Sequence, residues 1–122
     1  MAAFNWVIAD VSCPVCENVA RLRCQTHVAS NYGVDSGGRF HDREYALGQA
    51  MEWWPREHKR FETWRGGRWR AGGIHTEFDE EACYTTCNNC NAPLYVVILY
   101  HMNVPERVVA VGKEEDWPEY LK

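Results

Sequence analysis

The sequence predicts a β-rich α+β fold: an antiparallel sheet with a long central insertion and at most one or two short helices. Three observations lead there. Two Cys-x-x-Cys pairs, Cys13/Cys16 and Cys87/Cys90, lie near the two ends of the 122-residue chain. Stretches rich in β-branched and aromatic residues adjoin both pairs and read as strands. Glycine-dense segments at 31–38 and 66–73 punctuate the middle with turns.

The elements follow in order. Phe4 to Val11 combines aromatic and β-branched residues and reads as a strand running into Cys13-Pro14-Val15-Cys16. From Val19 to Val28 the residues Ala20, Leu22, Cys24 and Thr26 fall on one face and Arg21, Arg23 and Gln25 on the other, so a second strand returns antiparallel. Asn31 to Gly38 is a loop. An irregular strand is expected over Gln49–Trp54, because Pro55 biases Trp54 to extended backbone. Pro55 is equally placed to open a short helix from Arg56 to Trp64. Leu94 to His101 is the strongest strand signal in the chain. Val104-Pro105 is expected to break it, with a return strand from Arg107 to Val111 and an acidic tail anchored by Trp117 and Tyr120.

Composition bounds the class. Hydrophobic residues make up 46% and charged residues 25%, which is a globular balance. The length suits one domain, residues 1–122. Met1-Ala2-Ala3-Phe4 lacks a basic leader and Asp10 interrupts the first apolar stretch, so a cytoplasmic protein is expected. In that reducing compartment paired cysteines more often bind metal than form disulfides. Net charge is −4, which argues against generic nucleic-acid binding. Within 53–76, however, six basic residues stand against Glu57 and Glu62.

The cysteine pairs carry the clearest chemistry. Each supplies two thiolates on a tight turn, and two such turns make the four ligands of a tetrahedral structural zinc. Cys13, Cys16, Cys87 and Cys90 are therefore the expected ligands of one structural Zn²⁺. A thioredoxin-like dithiol would open a helix in a βαβ pattern, and neither pair does. Cys24 and Cys83 are expected as buried thiols, since Cys24 fits an inward strand position. A site of Cys13, Cys16, Cys24 and His27, or a second metal on Cys24, His27 and Cys83, stays arithmetically open. Four thiolates close the coordination sphere, which argues against catalysis at the metal. His41 with Asp42, and His75 with Glu77, are the remaining catalytic candidates, and no recognised spacing supports either. No enzyme is expected.

Cys-Pro-Val-Cys before a strand, and Cys-Asn-Asn-Cys-Asn-Ala-Pro-Leu-Tyr running into one, resemble the two knuckles of the zinc-ribbon superfamily. The resemblance implies face-to-face knuckles with the same four cysteines as ligands. It covers about 20 residues, and the stretch between the pairs is much longer than in a minimal ribbon. The arrangement is also similar to small bacterial zinc-ribbon proteins of unassigned function, with Tyr45-Ala46-Leu47-Gly48 between the knuckles. That likeness brings no activity with it.

Two binding functions are expected from the rest. The first is a non-catalytic, zinc-stabilised protein-binding module, of an immunity, antitoxin or adaptor type. Its partner-binding residues would be Trp53, Trp54, Arg56, Arg60, Trp64, Arg65, Arg68, Trp69 and Arg70, since Trp and Arg dominate interface hot spots. The alternative is a nucleic-acid-binding zinc ribbon that uses the same 53–76 patch.

Overall fold

The computed structural model describes residues 5–28, 43–61 and 78–119. Six strands run β1 (Asn5–Ser12), β2 (Val19–Thr26), β3 (Glu44–Ala46), β4 (Phe78–Thr86), β5 (Pro93–His101) and β6 (Val104–Lys113). A 3₁₀ turn at Glu114–Asp116 follows. They form one sheet in the order β3-β1-β2-β4-β5-β6. Neighbours pair antiparallel except β3, which lies parallel to β1, so the sheet is mixed where an antiparallel one was expected. A parallel partner needs a crossover, and here the chain between β2 and β3 supplies it.

The sheet curls until its two edges meet. Two register shifts in the β5–β6 pairing, at Val97/Ile98 and Leu99/Tyr100, are bulges that increase the local twist. The segment after β3 then bonds to the β5–β6 turn: Gly48 N–H donates to the Pro105 carbonyl (2.7 Å) and Met51 N–H to that of Asn103 (3.0 Å). Pro105 is tolerated in β6 because this is an edge strand, where a missing N–H breaks no ladder.

The core fills the inside of the curl. Val7, Ala9 and Val11 from β1 alternate inward, as do Leu22, Cys24 and Thr26 from β2. Leu94, Val96, Ile98 and Tyr100 of β5 meet them from the other side. On the outer face, Ala82 and Val97 are covered by Tyr95 and Trp117.

Four expectations change. First, Gln49–Trp54 is not a strand. Gly48 adopts φ +85° in a turn where Gln49 N–H returns to the Ala46 carbonyl (3.1 Å). Strand pairing falls instead at Glu44–Ala46. Second, Pro55 opens consecutive turns as far as Phe61 and no α-helix, with His58 N–H on the Pro55 carbonyl and Phe61 N–H on that of His58. No α-helix occurs among the described residues. Third, β4 has no counterpart in the expected elements, because Asp79-Glu80-Glu81 hides its apolar alternation. Fourth, β6 begins at Val104, not Arg107. Trp117 does anchor the tail as expected, while Tyr120 and the Gly66–Gly73 rim lie outside the described residues. No helix among the described residues is long and apolar enough to cross a membrane.

Candidate metal centre

Both Cys-x-x-Cys turns sit at one end of the sheet, and they have the same backbone form. Cys13 follows β1; its N–H donates to the Asn18 carbonyl (3.0 Å) and its carbonyl accepts from Glu17 N–H (2.9 Å). Cys87 follows β4; its N–H donates to the Ala92 carbonyl (2.9 Å) and its carbonyl accepts from Asn91 N–H (2.8 Å). Each turn closes through one left-handed residue, Glu17 at φ 63° and Asn91 at φ 62°. Asparagine visits that region at low cost; glutamate pays more for it.

The β1–β2 and β4–β5 hairpins bring the two turns face to face. Cys13 Sγ lies 3.8 Å from Cys90 Sγ, and Cys16 Sγ lies 3.8 Å from Cys87 Sγ. All four sulfurs are within 4.8 Å of one another. These separations are too long for disulfides, and all six cysteines are free thiols. They match a metal site well, because a tetrahedron with metal–sulfur bonds of about 2.3 Å has edges of about 3.8 Å. Among the described residues, no other group of three or more His, Cys, Asp or Glu side chains is close enough to share an ion.

Hydrogen bonds point at the sulfurs. Val15 and Cys16 N–H groups approach Cys13 Sγ at 3.4 and 3.5 Å. The Asn89 side-chain amide approaches Cys16 Sγ at 3.5 Å, from the opposite turn. That amide, joined by the Asn18 backbone N–H, lowers the Cys16 thiol to about 6. At Cys90 the Ala92 amide pulls down as well, but desolvation and the three neighbouring thiols outweigh it and raise the group to about 11. Cys13 and Cys87 are buried, Cys16 is half-buried and Cys90 is exposed, so the cluster sits at the rim of the molecule.

The structure thus gathers the four cysteines singled out by their spacing. Cys24 and Cys83 stay apart from them, buried in the core at 0% and 1% exposure. They form no metal group with His27. The Arg/Trp segment is only partly described. Trp53 is buried in the core and its Nε1–H donates to the Phe61 carbonyl (2.7 Å), so its ring supports the fold and offers no face to a partner. Trp54 is half-buried, stacked on His58, with the Arg60 guanidinium 5.9 Å from its ring. Arg56 is exposed and reaches Met102 Sδ at 3.1 Å. Trp64, Arg65, Arg68, Trp69 and Arg70 lie outside the described residues, as do His41, Asp42, His75 and Glu77.

One cluster escaped sequence reasoning. Glu81 is 6% exposed and its carboxylate lies inside the curl. The Thr26 hydroxyl donates to its Oε1, His27 N–H to its Oε2 (2.9 Å), and the Cys83 thiol to Oε1 (3.3 Å). Tyr100 OH donates to Thr26 Oγ1 (2.8 Å) and lies 3.4 Å from Glu81 Oε1. Burial, then the Glu81 charge, raise both the Tyr100 and Cys83 hydrogens well above their ordinary values, so both groups stay protonated donors. The usable signal was parity: Glu81 and Cys83 are two apart on one strand and share a face.

No family model matches this chain, and neither a curated protein nor a solved structure matches it significantly.

Proposed function

We propose that Cys13, Cys16, Cys87 and Cys90 hold one structural zinc ion. On this reading the protein is a small non-catalytic binding module whose partner is another protein, of an immunity, antitoxin or adaptor type. The observation that carries the reading is the four-sulfur cluster with tetrahedral edge lengths. Tetrahedral S₄ donor sets favour zinc or iron, and zinc is the usual structural choice. Four thiolates leave no open position for a substrate or a reactive water, so the metal would support the fold and perform no chemistry. The exposed Arg56 and Arg60, with half-buried Trp54, are the described part of the partner surface.

The test has two parts. Elemental analysis of the purified protein should find one zinc per chain, and iron or no metal would overturn the zinc assignment. An affinity pull-down from native lysate should recover a stoichiometric protein that the double variant Arg56→Glu/Arg60→Glu releases. Recovery of none would count against the protein-partner reading and leave the metal reading standing.

A further inference from the structure

The outer face of the sheet carries a row of side chains outside the metal site and outside the main core within the curl. Strand registry places Trp6 opposite Gln25, Gln25 opposite Tyr84, Tyr84 opposite Tyr95, and Tyr95 opposite Gly112. One row therefore crosses five strands. Gly112 ends it for a steric reason, since a Cβ there would overlap the Tyr95 ring. Trp117 folds back over the far half of the row, 4.4 Å from Tyr84 and 6.1 Å from Tyr95 between ring centroids. The near half stays partly open, with Trp6 and Gln25 half-buried. Tyr84 is 43% exposed.

Beside that open half lies a groove. Strands β2 and β4 pair at a single position, Gln25 with Tyr84, and share no further backbone pairing towards the metal end. Side chains span the gap: Thr85 Oγ1 donates to the Arg23 carbonyl (2.8 Å) and Asn88 Nδ2 to that of Arg21 (3.2 Å). The split leaves an open groove of about 530 Å³ whose lining includes Trp6, Arg21, Arg23, Gln25, Tyr84 and Asn88. The Arg23 guanidinium lies over the Trp6 ring at 4.3 Å.

We propose that this groove binds single-stranded nucleic acid. The chemistry fits part by part. Unpaired bases stack on aromatic rings and on guanidinium planes, and Tyr84 with the Arg23–Trp6 stack provides both kinds. Neighbouring strands are about 4.8 Å apart, so the backbones at Trp6 and Tyr84 lie about 9.6 Å apart, two strand spacings along the row. Gln25 and Asn88 carry amides that can both donate to and accept from base edges. Arg21 and Arg23 supply positive charge for phosphates. Each is now held by an exposed carboxylate, Arg21 by Asp10 (3.2 Å) and Arg23 by Glu44 (3.1 Å). Exposed pairs of that kind are weak enough for a phosphate to displace. A duplex hides its base faces and gains nothing from the row. The surface differs from the 53–76 segment, and the inference goes beyond the protein-partner reading without depending on the metal's identity.

The experiment measures fluorescence anisotropy of labelled dT12 and rU12 single strands at low salt, with a labelled 12-base-pair duplex alongside. Single strands should bind at least tenfold more tightly than duplex. Affinity should fall with salt on a shallow log–log slope of about −1.4, for two phosphate contacts. Tyr84→Ala should weaken binding about tenfold. Arg21→Gln should flatten the slope by about 0.7. Tyr84→Ala also removes the ring contact with Trp117, so a small drop in melting temperature is expected there and none in Arg21→Gln; melting temperature and metal content therefore report separately on the fold. Undetectable binding at low salt, equal binding of duplex, or parental affinity in Tyr84→Ala would each overturn the proposal. Loss of affinity on Arg56→Glu/Arg60→Glu with none on Tyr84→Ala would overturn it in favour of the other surface.

Discussion

The two ends of the curled sheet are held in opposite ways. At one end, four cysteines from two tight turns converge on a space the size of a metal ion. At the other, Glu81 gathers hydrogen bonds from Thr26, His27 and Cys83, and Tyr100 reaches it through Thr26. Asn5 continues the stitching there, with its Nδ2 on the Val28 carbonyl (3.1 Å) and its Oδ1 accepting from Arg43 N–H (3.2 Å). Both ends do the same job, which is to tie β2 to β4 where the backbone ladder has one paired position. On the proposed reading the cysteine end takes an exogenous ion and concentrates its strength in a few bonds. The polar end uses the chain's own groups, spreads the work over several modest bonds, and depends on every donor being present. The contrast predicts where the fold is brittle and where it yields.

The largest effect should come from the metal end. Metal binding to a site absent from the unfolded chain is itself folding free energy, about 10–16 kcal/mol for zinc-finger peptides. That equals or exceeds the whole stability of an ordinary domain, about 5–15 kcal/mol. Cys87→Ser, or strong chelation, should therefore abolish the cooperative melt seen by circular dichroism. An unchanged melt after verified metal removal would show that the polar end suffices.

The next effect belongs to Glu81. Glu81→Ala strips the acceptor from Thr26, His27 and Cys83 and leaves a cavity, and should cost about 2–4 kcal/mol in urea unfolding. Tyr100→Phe removes one donor and should cost about 1–2 kcal/mol. If Glu81→Ala proved neutral, the polar end would be a passenger and the comparison would collapse to a single clasp.

Alkaline pH probes the interior thiols. Burial pushes Cys24 from its ordinary value near 9 up to about 12. Its folded value is raised, so its contribution is fully present below about pH 9 and is lost as pH rises towards 12. Stability measured by urea titration should fall across that window, and Cys24→Ala should make the fall shallower while lowering the plateau below it. A slope unchanged by Cys24→Ala would place the alkaline sensitivity elsewhere.

The smallest effect compares the two turns. Glu17 and Asn91 hold the same left-handed backbone, which suits asparagine better than glutamate. Glu17→Gly relieves that strain and should stabilise the protein by about 0.5–1 kcal/mol, while Asn91→Gly should change little. Equal responses would show that the turns differ in more than this residue.

The ease of reading these features from sequence follows their geometry. The clustered cysteines come as two short-range pairs, each written within four residues, and the fold joins them across more than 70 residues. The strands β1, β2 and β5 announce themselves by alternation or by apolar runs. Strand β4 does not, because its acidic stretch mixes solvent-facing charge with one carboxylate that turns inward. Gly48 redirected the segment where extended backbone was expected, since a local proline bias at Trp54 is weaker than a turn bonded to the β5–β6 connection.

The sequence by itself determined the β-rich class, the cysteine quartet and the inward alternation of β2, because each depends on residues two to four positions apart. Only the tertiary structure decided that β3 pairs parallel with β1, that the sheet curls edge to edge, that Trp53 is core, and that Thr26, Glu81 and Tyr100 meet. The physical reason is range. Residue spacing encodes which face a side chain takes, whereas its neighbour on that face is chosen by strand order and register, which the whole chain settles together.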